Sequence, residues 1–255
     1  MSGTAPPPGG RPAFDARRFW EERLGAHPDL TGTGETGLSL RYNRACYALR
    51  ERVLDREIQR LGLSLAGASV LDVGSGVGFF VDYYLRRGAR VTGVELTEAG
   101  AGVLAARFPA ARILVGDVAD LDVGAGYDVV NAFDVLYHIV DDERWERALR
   151  RLLEALAPGG VLFLTDVLHP GPRDLSAHNV MRARTAYEGV LREAGVRVLR
   201  TPPTHYLLNR ELGWLRPLNR FPALLQMCDE ILLGLGVPAP EPANRLLVAC
   251  RTSAG

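Results

Sequence analysis

The stretch Val70-Leu71-Asp72-Val73-Gly74-Ser75-Gly76-Val77-Gly78-Phe79 sets a carboxylate two residues before the first of three glycines. Glycines in such a turn let a ligand approach the backbone more closely than a Cβ would allow, and a helix starting there offers unpaired N–H groups. A G-x-G-x-x-G dinucleotide fingerprint would need glycine where Phe79 stands. A phosphate loop ending in Gly-Lys-Ser/Thr is also absent, and Asp72 would repel a pyrophosphate while suiting a cationic or zwitterionic ligand. Glu95 follows about 20 residues later, the interval of one crossover unit, and its carboxylate can accept both hydroxyls of a ribose diol. Asp117, in Val115-Gly116-Asp117-Val118, can accept an amino hydrogen of adenine. Each acid alone reads equally well as an exposed strand-end residue. Three at successive strand ends mark the crevice in which open α/β sheets bind ligands.

A proton-transfer candidate lies in Asn131-Ala132-Phe133-Asp134-Val135-Leu136-Tyr137-His138-Ile139, where His138 is the only imidazole. Imidazole titrates near neutrality, so a catalytic His138 predicts activity that falls below its ordinary pKa. The same position also suits a histidine that caps a helix or touches the edge of a ligand. Asp134, Asp166 and His169 together could hold a divalent metal, but Val167 follows Asp166 where a paired ligand is wanted, so no metal ligand is assigned. Tyr137, His169 and Tyr206 are the candidate pocket residues, with His205 and Trp214 behind them; core packing or a surface loop explains each as well.

The elements that must position these groups follow from periodicity. Apolar runs at Ser69–Val73, Arg90–Val94, Arg112–Val115, Tyr127–Phe133 and Val161–Val167 read as strands, alternating with helices at Phe79–Arg87, Glu98–Arg107 and Asp142–Ala157. Asp141 or Asp142 caps the last of these, and Pro158-Gly159-Gly160 is expected to break it. Such alternation means a parallel sheet covered on both faces. Asn43–Leu61 is an amphipathic helix, preceded by a short segment with Phe14, Phe19 and Trp20 and a loop with Gly32, Gly34 and Gly37. Arg182–Ala194 reads as helix, Val196–Leu199 and Leu246–Cys250 as strands. The insertion at about 205–242, with amphipathic Phe221–Leu235, is expected to lie over the strand ends as a lid. Residues 1–12, rich in Pro and Gly, read as a disordered tail.

Composition narrows the class. The 255 residues carry 30 basic and 30 acidic side chains, which removes the basic excess of nucleic-acid binders. Every basic residue is arginine, so no lysine Schiff base or lysine general base is available. Cys46, Cys228 and Cys250 are scattered and odd in number, which argues against a disulfide framework or zinc ribbon. With no signal peptide and no long apolar run, a cytoplasmic location without a membrane span is expected.

Over about residues 65–170 the chain resembles the class I S-adenosylmethionine-dependent methyltransferases. The resemblance rests on Asp72-x-Gly74-x-Gly76-x-Gly78, Glu95, Gly116-Asp117-Val118, Tyr127-Asp128-Val129-Val130 and Leu156-Ala157-Pro158-Gly159-Gly160. It implies an α/β fold with a Rossmann-like, mostly parallel seven-stranded sheet, whose antiparallel last strand Leu246–Cys250 would supply. It further implies a helical cap at 13–64 and a binding domain at 65–255 for S-adenosyl-L-methionine, with S-adenosyl-L-homocysteine as product. Asp72, Gly74, Ser75, Gly76 and Gly78 would then hold the cofactor's amino-acid part, Glu95 its ribose, and Asp117 and Val118 its adenine; Leu96 and Phe133 complete the set. A small-molecule acceptor methylated at oxygen, in secondary metabolism, is the favoured expectation. A protein or lipid acceptor docked on the 221–235 helix, or a cofactor-binding protein without turnover, is the alternative. The oligomeric state is open.

Overall fold

The computed structural model describes residues 14–168, 174–175, 178–208, 213–241 and 243–252. The expected tail and His169 lie outside the described residues. Strands β1 (Ser69–Val73), β2 (Arg90–Glu95), β3 (Arg112–Val115), β4 (Tyr127–Phe133) and β5 (Leu156–Leu168) run parallel. A two-residue hairpin of β6 (Asp174–Leu175) and β7 (Val180–Met181) follows, and then β8 (Val196–Arg200) and β9 (Ala243–Arg251). β9 pairs antiparallel with both β5 and β8, giving the sheet order β3-β2-β1-β4-β5-β9-β8. This is the seven-stranded, mostly parallel, Rossmann-like sheet that the alternation implies. The strand order reverses between β1 and β4, and the crevice beyond such a reversal is where ligands bind.

Period-two alternation decides which side chains face which layer. Val70, Val129, Phe163 and Val248 pack against α3 (Leu40–Leu61), α4 (Phe79–Leu85) and α5 (Glu98–Arg107). Their neighbours Leu71, Val130, Leu164 and Leu247 pack against α6 (Asp142–Ala155) and α7 (Arg184–Glu193) on the other face. Helix starts are set by side-chain oxygens: Ser39 accepts from Tyr42 N–H, Thr97 from Gly100 N–H, and Asp141 from Arg144 N–H. Asp141, not Asp142, is therefore the cap of α6. Pro158-Gly159-Gly160 does not lie between elements as expected; it forms the irregular start of β5, where Tyr127 pairs with Leu156. A Cβ on Gly160 would lie 2.7 Å from the Tyr127 carbonyl oxygen, so the strands close there only with glycine.

Two segments depart from the sequence reading. The Phe-Trp segment forms a full helix, α1 (Ala16–Ala26), followed by the short α2 (Leu30–Thr33). Ala16, Trp20 and Leu24 recur every four residues and turn toward a cavity rather than the core; no residue of α1 is buried. The insertion at about 205–242, expected as a lid, instead packs on α3. Its α8 (Pro222–Leu235) buries Leu225 beside Tyr42, Ala45 and Leu49, and its described residues line no part of the cavity. Among the described residues no helix is long and apolar enough to cross a membrane.

Candidate active site

β1 delivers the chain into a turn through Gly74, Gly76 and Gly78, all at positive φ. Contacts within the chain already demand glycine here. A Cβ on Gly74 would lie 2.3 Å from Val135 Cγ2, one on Gly76 2.6 Å from Thr33 Cγ2, and one on Gly78 2.3 Å from Phe108 Cε2. Gly78 does not line the cavity, and its placement in the ligand set is corrected: it lets α4 pack on α5.

A cavity of about 500 Å³ opens at the C-terminal ends of β1 to β4. Asp72, Gly74, Ser75 and Gly76 line one side together with Glu95, Leu96, Asp117 and Val118, so the expected groups from three strands meet in one space. Asp72 is buried; its Oδ1 accepts from Asn131 Nδ2 at 2.6 Å, and its Oδ2 has no partner. Burial pushes this carboxyl up to about 7, against the Asn131 hydrogen bond. Glu95 is also raised by burial, although it accepts Thr97 N–H and Oγ1–H on one oxygen and Gly76 N–H on the other. Oε1 is thereby filled, while Oε2, with Gly76 N–H as its one donor, keeps a second lone pair. Asp117 accepts Ala119 N–H and, at 2.8 Å, the Arg144 guanidinium, which also reaches Asp120.

Beyond β1 the wall changes character. Phe133, Asp134, Val135 and His138 line it from the end of β4, Tyr47 and Thr33 from the cap, and Trp20 and Leu24 of α1 roof it. Among the described residues Asp134 is the one non-glycine at positive φ (58°), a conformation held in place by its partners. Its backbone N–H donates to Thr165 Oγ1, its Oδ1 accepts from Thr165 and Asn244, and its Oδ2 pairs with Arg50 at 2.5 Å. Tyr47 donates to Thr33 Oγ1 at 2.8 Å, fixing the cap against the glycine turn.

His138 lies in a single 3₁₀ turn, Leu136–His138, with its ring against Trp20 at 4.9 Å and Tyr137 at 4.4 Å between centroids. Its Nδ1 is 3.3 Å from the His178 carbonyl oxygen. A carbonyl can only accept, so Nδ1 carries the proton and Nε2 keeps the lone pair. Burial pushes the ring down to about 4, so the imidazole is neutral at physiological pH. An acid limb near the ordinary imidazole value is thereby corrected to one near pH 4.

Tyr137 packs on His138 without lining the cavity, and Tyr206 points away, donating its hydroxyl to the Val237 carbonyl. Neither is brought into the pocket. Asp166 is buried and accepts the Tyr187 hydroxyl, apart from the Arg50–Asp134 pair. Asn131, Arg144 and Arg50 gave no signal in the sequence, since an arginine or asparagine among many carries no spacing. Trp20 and Leu24 offered only a four-residue step, too short a stripe to read as a helix face.

Residues 47–214 match a family described as "Methyltransferase domain". The dTDP-4-amino-2,3,4,6-tetradeoxy-D-glucose N,N-dimethyltransferase of Saccharopolyspora spinosa is 34% identical over 138 residues, 46% of this chain and 55% of that protein. A ubiquinone biosynthesis O-methyltransferase of Pseudomonas paraeruginosa is 33% identical over 110 residues, 40% of this chain and 46% of that protein. The chain thus spans about half the length of these relatives. The structure of magnesium protoporphyrin IX methyltransferase from Synechocystis, solved with bound SAM, aligns with TM-score 0.60 at 18% identity, over 94% of this chain and 99% of that one. That likeness concerns the fold. With the family match covering more than half of the sequence and the strand order in agreement, the chain belongs to the methyltransferase-domain family.

Proposed function

We propose that this protein transfers a methyl group from S-adenosylmethionine to an oxygen of a small molecule. The observation that carries the reading is the buried, unpartnered Asp72 Oδ2 beside the glycine turn, a site that asks for a cation. The cofactor's zwitterionic end meets that need. Glu95 would accept its ribose hydroxyls, while Asp117, Leu96 and Val118 would frame its adenine. Bound there, the cofactor supplies a methyl already activated by its sulfonium charge.

What remains for the chain is positioning, water exclusion and one proton. The roof of α1 and the aromatic wall border the acceptor side of a cavity of about 500 Å³, which favours a small acceptor over a macromolecular one. His138 Nε2 would take the hydroxyl proton of the acceptor. Oxygen is favoured over a cationic amine because Arg50 already balances the carboxylate on that wall, Asp134. The relatives include proteins named for either atom. Incubation with labelled S-adenosylmethionine and a panel of small hydroxyl and amino compounds tests this. Label found only on nitrogen would reject the oxygen assignment, and no transfer to any compound would reject the small-molecule reading.

Two binding experiments follow. Glu95→Ala should weaken cofactor binding by about 1–3 kcal/mol, the scale of lost hydrogen bonds to a charged group. Unchanged affinity in the folded variant would place the ribose elsewhere. At pH 6 the Asp72 carboxyl, held at about 7 by burial, is mostly protonated, and an ammonium beside it favours the ionised form. Cofactor binding should therefore release about one proton near pH 6. Calorimetry in buffers of different ionisation enthalpy reads this directly, and Asp72→Asn should remove the buffer dependence. Heats that ignore the buffer in the parent would dissociate Asp72 from the cation.

A further inference from the structure

We propose that α8 forms the two-fold interface of a homodimer, its outer apolar face packing antiparallel on the same face of a second copy of this chain. Phe221, Leu224, Met227, Ile231 and Leu235 recur in steps of three and four residues and share one side of the helix. All are about half exposed or more. Trp214, 88% exposed, and Val237 flank the same helix; among the described residues the other strongly exposed large apolar side chain is Val103. Exposed apolar surface is thus concentrated on one face rather than scattered.

The area suits a dimer. Taking about 150–250 Å² per large side chain, the aromatic range, the stripe together with Trp214 and Val237 exposes roughly 600–1,000 Å², against about 300–600 Å² for the largest patch of a typical monomer. About 800 Å² per partner is what a stable interface buries. The stripe itself holds no charged residue: the two acids of α8 lie off it, and Arg220 sits over the Phe221 ring at its N-terminal end. Asp229 accepts the N–H groups of Tyr206, Leu207 and Leu208, and Glu230 pairs with Arg52 of α3 at 2.9 Å. A closed two-fold requires a self-complementary face, which an uncharged helix stripe provides.

The ends of the helix complete the match. Arg216 and Arg220 are exposed just before the N-terminus of α8, and its last turn has no basic residue. Antiparallel packing brings these arginines beside the partner's helix C-terminus, whose carbonyl end is partly negative. A membrane surface would draw on the same face with Arg216 and Arg220 as its basic residues, whereas the stripe of α8 itself supplies none, and vesicle flotation distinguishes the two.

Sedimentation velocity of the full chain at tens of micromolar should give a dimer, and Ile231→Asp should raise the dissociation constant by about 100-fold or more. Val103→Asp, a charge placed on an exposed apolar side chain away from this face, should leave the dimer intact. Cys228 lies midway along α8, where the two-fold brings its two copies together. A short bis-maleimide should therefore join the parent chain into a covalent dimer, and Cys228→Ser should not be joined although Cys46 and Cys250 remain; this reading stands even if Ile231→Asp fails to fold. A monomeric parent, or a dimer that survives Ile231→Asp, overturns the proposal. So does flotation of the parent with phosphatidylcholine–phosphatidylglycerol vesicles that the Ile231→Asp chain loses, since the face would then serve a membrane.

Discussion

His138→Ala lowers turnover by about 10²–10⁴-fold, the scale of lost general-base catalysis, and leaves cofactor affinity within a few-fold. The ring lines the cavity beyond the end of β4, and with Nδ1 donating to the His178 carbonyl its Nε2 keeps the lone pair. Because burial holds its pKa down at about 4, the base form dominates above that value, and protonation removes it as pH falls. Parent activity at saturating cofactor should therefore stay level through pH 6 and decline only toward pH 4, with that decline absent from the residual activity of the variant. A low pKa also makes the imidazole a weak base, so an acidic hydroxyl suits it better than an aliphatic alcohol. Alanine additionally removes a ring packed on Trp20, so His138→Phe, which keeps a ring at the position but no basic nitrogen, separates packing from proton transfer. A His138→Ala chain that turns over at near the parental rate would leave positioning alone to account for catalysis.

Gly78→Ala should destabilise the fold by about 2–5 kcal/mol. One part is the left-handed backbone, φ +81°, which costs a residue with a Cβ about 1–2 kcal/mol. The larger part is steric: the new atom would sit 2.3 Å from Phe108 Cε2 and 2.8 Å from Leu104 Cδ2, both in buried side chains. Overpacking of this kind adds about 1–3 kcal/mol. Gly124→Ala is the control, because Gly124 has φ +78° but open space where the Cβ would go, so only the backbone part applies. Urea denaturation of the two variants measures the difference. Equal losses would mean that α5 shifts freely, and that Gly78 matters only through its backbone.

Much of the fold was legible in the chain. The strands β1, β3 and β4 begin and end where the predominantly apolar runs do, because strands of a covered sheet need apolar side chains to pack on the helices and the turns between them do not. The acids near the carboxyl ends of these runs, Asp72, Glu95 and Asp117, stood out together because that end of an open sheet is where a ligand would lie. Spacing also separated this glycine turn from a dinucleotide fingerprint. These are local facts, carried by neighbours in sequence.

Tertiary structure alone decided the rest. The glycines read as room for a ligand are also required by Val135, Thr33 and Phe108, residues from three distant segments. The roof of the cavity is α1 and not the 205–242 insertion, because a three-residue stripe of Ala16, Trp20 and Leu24 is too short to signal a helix until the cavity gives it something to face. Phe221–Leu235 was amphipathic in sequence, but only the α3 contact and the inward turn of Asp229 and Glu230 fix which side is covered. The pKa of His138 follows the same rule. Residue type set it near neutrality, whereas burial beneath Trp20 moved it to about 4 against the opposing hydrogen bond to the His178 carbonyl, 40 residues away in the chain. Desolvation and packing depend on what the fold brings near, and no pattern along the chain encodes that.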